Sequence, residues 1–288
     1  MRMKKILVLS ASLLLTGSLA RLSAVEISQR DKDQIIANFR KAGSVPPNWE
    51  IQIKDVKEST IASLYQATME FRSGPEVRMQ NIFISTDAKQ YVVGNVFKTN
   101  EDLDAVRRNQ LTTQGSPSKG SANAPVTIVE FSDLECNSCK FAHEQMKADK
   151  LLDQYPGKVR FVYKNRPIPR AHPWAMSAAL GTLCAYKQNH AAFWKMQDAI
   201  YVQQSSITVD NVLEKMFTIA RSINLDMNRF QTCYDLKEPL SDINRDIAEA
   251  ESLGVVQTPT FLVNGRVIVG YPGAQAFKLV IDEFLRKK

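Results

Sequence analysis

The sequence predicts an α/β protein in two parts: a small α+β domain, then a larger domain in which helices interrupt a strand–helix scaffold. Three observations carry this. Residues 112–124 are rich in Gly, Ser and Pro without apolar periodicity, the pattern of a linker. Before them, one amphipathic segment leads into several β-leaning ones. After them, strand-like runs occur only near residues 125–162 and 260–269, with helical spacing of apolar residues between.

The N-terminus reads as an export signal over residues 1–24. Met1-Arg-Met-Lys-Lys5 is a basic start, Ile6 to Leu15 an apolar core, and Ser18-Leu-Ala20 or Leu22-Ser-Ala24 a small-x-small cleavage site. The core is shorter than the ~20 residues of a membrane span, an uncleaved anchor being the alternative. The mature chain is therefore expected in an oxidising compartment, periplasmic or otherwise extracytoplasmic, where disulfides persist. The formal charge of +7 falls by three, to +4, when residues 1–20 leave with Arg2, Lys4 and Lys5. So mild an excess, with no basic run interleaved with aromatics, does not indicate nucleic acid as a partner.

Residues 25–111 form the first domain. Ile35, Ile36 and Phe39 give an amphipathic helix around residues 30–41, ended by Val45-Pro-Pro-Asn48. Trp49–Val56, Ile61–Phe71, Val77–Ser85 and Tyr91–Phe97 read as strands, with turns at Ser73-Gly-Pro75 and Thr86-Asp-Ala-Lys89. A helix on a four-stranded antiparallel sheet is the simplest assembly. The domain has no Cys or His, so its expected work is dimerisation, spacing or substrate contact.

Residues 125–288 form the second domain. Pro125–Phe131 is apolar and β-branched, the mark of a buried strand, and Phe141, Met146, Leu151 and Leu152 open a helix after it. Val159–Val162 is the second strand. From about 166 to 252 the pattern is helical, clearest over Trp174–Tyr186, Phe193–Tyr201, Val209–Ile219 and Asn228–Tyr234. Thr260–Val263 and Arg266–Val269 flank an Asn264-Gly265 hairpin turn. Ala276–Leu285 closes the chain as an amphipathic helix.

Cys136-Asn137-Ser138-Cys139 falls where the first strand of this domain feeds its helix. Unpaired N–H groups and the macrodipole at a helix N-terminus favour a negative charge. A thiolate is the nucleophile of thiol–disulfide exchange, and such settings lower a cysteine pKa to about 3.5–7.5. The competing reading, half of a zinc site, lacks its second half. Cys184 and Cys233 stand alone and His143, His172 and His190 are scattered. The arrangement is that of a redox site.

Four segments then resemble one family, the DsbA-like thiol:disulfide oxidoreductases. Val126–Cys136 is similar to the family's active-site strand, His172-Pro-Trp-Ala-Met-Ser-Ala-Ala179 to its HP-x-A-x-x-AA segment, and Phe193-Trp194 to its FW pair. Gly254–Gly265 is similar to its cis-proline loop and hairpin. The resemblance spans 125–288 in the family's order. It implies a thioredoxin-like fold with a helical insertion and no metal or organic cofactor. It makes Cys136 the attacking and Cys139 the resolving thiol of a redox-active disulfide. Thr258 and cis Pro259 become the peptide-binding edge, and Glu130, on an otherwise apolar strand, a buried acid that moves protons. Cys184 and Cys233 are expected as a structural disulfide, against the alternatives of two free thiols or a relay. His172 reads as a packing or capping residue, His143 as a surface histidine and His190 as unremarkable, and the aromatics Phe131, Trp174, Phe193 and Trp194 read as core.

The expected activity is exchange with cysteines of exported proteins, foremost disulfide formation, with a membrane protein as redox partner. Two features pull away from a strong oxidase. The dipeptide Asn137-Ser138 carries neither the proline nor the histidine usual in strong oxidants, and Glu135 adjoins Cys136. Residues 85–94 also faintly resemble the dimerisation domain of DsbC-type isomerases. A homodimeric isomerase or reductase, dimerised through residues 25–111, is thus the alternative, and a redox-silent peptide-binding chaperone a more remote one.

Overall fold

The computed structural model describes residues 26–287 apart from 43, 44, 46 and 75; the leader expected over 1–24 lies outside them. The chain divides into two compact units meeting at Thr99/Asn100.

In the first unit, α1 (Gln29–Ala42) lies with a sheet of β1 (Glu50–Glu58), β2 (Leu64–Ser73), β3 (Glu76–Ser85) and β4 (Tyr91–Val93), in that order and antiparallel throughout. Alternation decides the faces. Ile51 and Ile53, Ala67, Met69 and Phe71, and Ile82 and Ile84 all point to one side, where they bury Ile35 of α1. On β2, Glu70 is buried too, held by ion pairs from Lys54 at 2.8 Å and Arg72 at 3.0 Å.

The second unit begins earlier than the sequence reading places it. α2 (Leu103–Gln110) opens it, capped by the Asp102 carboxylate on the Ala105 N–H. Asp104 of this helix pairs with Arg266 at 2.7 Å from Nε. Gly265, in the left-handed region at φ 93°, lies so close to the Asp104 carbonyl that a Cβ there would clash. Nor is 112–124 a free tether. Thr112 bonds the Glu249 carboxylate, Arg160 reaches Thr113, and Ser118–Lys119 forms β5 on the sheet edge. The short side chains that suggest a linker are what let this segment lie flat there. At Gly120, a Cβ would meet the Val159 carbonyl.

The sheet of this unit runs β5-β7-β6-β8-β9. β6 (Val126–Ser132) is central, parallel to β7 (Val159–Asn165) and antiparallel to β8 (Thr260–Val263), which turns at Asn264-Gly265 into β9 (Arg266–Val269). Between the halves stand α4 (Ala175–Gln188), α5 (His190–Gln203), a 3₁₀ turn (Gln204–Ser206), α6 (Val212–Ser222), α7 (Met227–Asp235) and α8 (Leu240–Ser252). α3 (Asn137–Ala148) and α9 (Ala274–Arg286) complete a thioredoxin-like fold with a helical insertion. Ile128, Phe161, Phe261 and Phe277 pack with α3 and α9 on one face. Val129, Phe131, Val162 and Leu262 pack on the other with Ala250 of α8. Among the described residues no helix is long and apolar enough to cross a membrane.

Candidate active site

β6 delivers the site. Ile128 faces α3, so Glu130 and Ser132, two and four residues on, face the same way. Ser132-Asp133-Leu134-Glu135 then turns the chain into α3, whose N-cap is Cys136 in extended backbone at φ −72°, ψ 121°. The turn is fixed by side chains from elsewhere. Asp133, fully buried, accepts the N–H groups of Glu135 at 2.8 Å and Ile168 at 2.9 Å, and its carboxylate meets His172 Nδ1 at 2.8 Å. Gln204, buried beyond the end of α5, donates to the carbonyls of Leu134 at 2.9 Å and Cys136 at 3.2 Å. Glu135, a candidate opponent of the thiolate, accepts the Trp174 N–H at 2.7 Å.

Cys136 and Cys139 carry free thiols, 8% and 0% exposed. Their environments push them apart. A hydrogen bond from Cys139, a bond from Thr258 and the backbone N–H groups of Cys139 and Ser138 outweigh burial and bring Cys136 down to about 5. Burial raises Cys139 well above the ordinary thiol range, and the Cys136 sulfur and charge raise it further. The Asp133 N–H, 3.4 Å away, points at Cys139 Sγ. Such a site holds one thiolate, on the less deeply buried Cys136, and keeps the deeper sulfur protonated until it is needed.

The peptide bond Thr258-Pro259 is cis, and the Cys136 Sγ lies 3.5 Å from the Thr258 carbonyl. The Pro259 carbonyl is taken by the Gly270 N–H at 2.8 Å. Val256, just before, is among the most exposed apolar residues of the chain at 82%.

Glu130, 3% exposed, lies beneath the cysteines and opposite Tyr163 in the β6–β7 register. Burial raises it to about 7; a hydrogen bond from Ser132 and the charge of Lys119 pull the other way. Among the described residues the buried Tyr163 hydroxyl has no hydrogen-bond partner.

Cys184 of α4 is bonded to Cys233 of α7, S–S 1.99 Å, in the interior of the helical insertion. His172 does more than pack, since it braces Asp133. His143 pairs with Asp198 at 2.7 Å, joining α3 to α5. The pairing of Cys136, Cys139, Glu130, Thr258 and Pro259 brings together segments 122 residues apart. Sequence reasoning did not single out Ser132, Asp133 or Gln204. Asp133 offered a faint signal, an acid three residues before a reactive cysteine; Gln204, 68 residues away from Cys136, offered none.

Comparison with known proteins adds a family. A family model described as thioredoxin matches residues 112–283. Among curated proteins, the chain is 34% identical over 148 residues to Na(+)/H(+) antiporter NhaA 3 of Salinispora tropica, covering 51% of this chain and 21% of that protein. It is 29% identical over 175 residues to the probable disulfide bond formation protein D of Bacillus anthracis, covering 59% and 78%. The chain thus spans about a fifth of the antiporter's length and over three quarters of the second relative's. Oxidised BdbD from Bacillus subtilis superposes with a TM-score of 0.55 at 24% identity, over 61% of this chain and 95% of that one. Wolbachia pipientis alpha-DsbA1 gives 0.55 at 22%, over 63% and 96%. Those two likenesses are of fold.

Proposed function

This chain belongs to the thioredoxin family as a DsbA-like member, and from that premise we propose that it forms disulfides in exported proteins, outside the cytoplasm. The observation that carries the reading is the split between two adjacent thiols, Cys136 lowered to about 5 and Cys139 raised. In the oxidising direction, a client thiolate attacks the Cys136 sulfur of the Cys136–Cys139 disulfide, and Cys139 leaves with the electron pair and takes a proton. A second client thiolate then attacks the client sulfur of the mixed disulfide. The client gains an S–S bond, and Cys136 departs as a thiolate. That departure is easy because the thiolate is stabilised, and a stabilised reduced form is what makes a couple oxidising. Thr258 and Pro259 present a backbone edge to the client peptide, as an added strand would need. Glu130 exchanges the proton with Cys139. A membrane redox partner then re-oxidises the pair. Cys184–Cys233 stays intact as a structural bond.

The deciding measurement is the reduction potential of the Cys136–Cys139 couple in graded glutathione buffers. The stabilised thiolate argues for a value above about −180 mV, on the oxidising side of protein disulfide isomerase. A value below about −200 mV would remove disulfide formation and leave the dimeric isomerase or reductase. A Cys136→Ala, Cys139→Ala variant fully active in a refolding assay would instead leave a redox-silent chaperone.

A further inference from the structure

Cys139 must lose and regain a proton in every cycle, yet it is wholly buried, and among the described residues no hydrogen bond joins it to Glu130. Ser132 is the polar side chain whose hydrogen bonding acts on both. Its side chain is buried and shares a strand face with Glu130, two residues earlier. The peptide N–H that follows it, that of Asp133, points at Cys139 Sγ from 3.4 Å, which sets that sulfur one peptide unit from Ser132. The Ser132 hydroxyl lies 3.4 Å from the Tyr201 hydroxyl and also acts on Tyr163, across the register from Glu130, whose buried hydroxyl makes no hydrogen bond among the described residues. The Ser132 hydroxyl favours the charged forms of Glu130 and of Cys139 alike. Among the described residues, the charges of Cys136 and Lys119 act on Glu130, and Glu130 in turn acts on Cys139, Tyr163 and Tyr201.

We propose that the Ser132 hydroxyl relays the proton between the Glu130 carboxylate and the Cys139 thiol, a role that rests on the oxidoreductase reading above. A hydroxyl is suited to this because it donates and accepts at once. When the mixed disulfide between Cys136 and a client closes, Ser132 passes its proton to Glu130 and takes the proton of Cys139. The Cys139 thiolate attacks the Cys136 sulfur, the Cys136–Cys139 bond forms and the Cys136–client bond breaks. The client sulfur leaves with the electron pair, so the enzyme pair is oxidised and the client reduced. In disulfide donation the same atoms move in reverse, and Cys139 is protonated as it departs.

The test separates the two cysteines in one trace. Reduced full-length protein mixed with dithiobis(nitrobenzoate) releases one thionitrobenzoate when Cys136 attacks and a second when Cys139 resolves. Ser132→Ala is expected to leave the first release unchanged, which also reports a folded site. The second should slow by roughly 10–100-fold, within the range of a lost proton-transfer group. Its pH profile should lose the limb near 7 set by Glu130, and its solvent deuterium effect should change. Ser132→Thr, which keeps a hydroxyl, is expected to restore most of the rate and the limb. A second release at the wild-type rate with the limb intact in Ser132→Ala overturns the relay alone. So does a Ser132→Thr protein as slow as Ser132→Ala, because packing would then be the cause. Wild-type protein that gives no first release overturns the oxidoreductase reading and the relay with it.

Discussion

Two ionisable groups in one chamber are driven in opposite directions, Cys136 down to about 5 and Glu130 up to about 7. Burial is the chief cause for Glu130, and it has a consequence for stability. An acid whose folded pKa lies above its unfolded value keeps its proton longer in the folded state. Its contribution is therefore complete below about 4.5 and is lost as the pH rises through about 7. A shift of that size corresponds to about 3 kcal/mol at its upper bound. Glu130→Gln should accordingly stabilise the reduced protein by roughly 1–3 kcal/mol at about pH 8 and by nothing at about pH 4. Urea unfolding at the two pH values checks it; an equal difference at both would trace the effect to packing. The residues proposed to react were legible because each breaks a local rule: a Cys pair at a helix start, a carboxylate on an apolar strand. Asp133, Gln204 and Ser132 break none. A polar residue in a turn or at a helix end is ordinary, and only the fold brings Gln204 to the Leu134 and Cys136 carbonyls.

At the scale of elements, the join between β7 and α8 is ionic. Lys164, on the face of β7 opposite the cysteines, is 0% exposed and donates to Asp246 at 3.0 Å and Glu249 at 3.1 Å, both on α8. Asp246 also accepts the Asn165 N–H, and Glu249 holds Thr112. Removing the cation strands two buried carboxylates, the costly way to break such a pair, at about 3–5 kcal/mol. Lys164→Met should therefore lower stability by that amount in urea unfolding near neutral pH. Adding Asp246→Asn and Glu249→Gln should recover part of it, since no unpaired charge then remains. A loss below about 1 kcal/mol would mean that the carboxylates find water instead. These residues also explain a gap in the sequence reading. β7 extends to Asn165, past the apolar run that marks a strand, because Lys164 is buried against a partner 82 residues away. Likewise α8 buries Asp246 and Glu249, so its inner face does not look apolar. By contrast, Cys184 and Cys233 close a loop of sequence separation 49, which on the chain-entropy account contributes about 4 kcal/mol to an insertion otherwise held by packing.

Across the whole molecule, everything the proposed chemistry uses lies after Asn100. Cys136, Cys139, Glu130, Ser132, Thr258 and Pro259 all belong to the second unit. The first unit, with its own core around Met69 and Ile82, is free to serve the dimerisation or spacing proposed for it. The boundary between them can be tested by where the chain is cut. A fragment of residues 100–288 keeps α2, the Asp104–Arg266 pair, Thr112 on Glu249 and β5 on the edge of β7. It should retain the full-length potential within about 30 mV, the equivalent of about 1.4 kcal/mol for this couple. A fragment of 125–288, cut where composition alone suggests, loses all of these. It leaves Arg266 with Glu283 in place of two carboxylates and strips the β7 edge, which then offers unpaired backbone groups to other chains. The shorter fragment should unfold at lower urea and aggregate, while the longer one stays folded and monomeric. Full-length protein sedimenting at twice its own mass, with the 100–288 fragment at its single mass, would place dimerisation in residues 26–99. Equal stability of the two fragments would return 112–124 to the role of a linker.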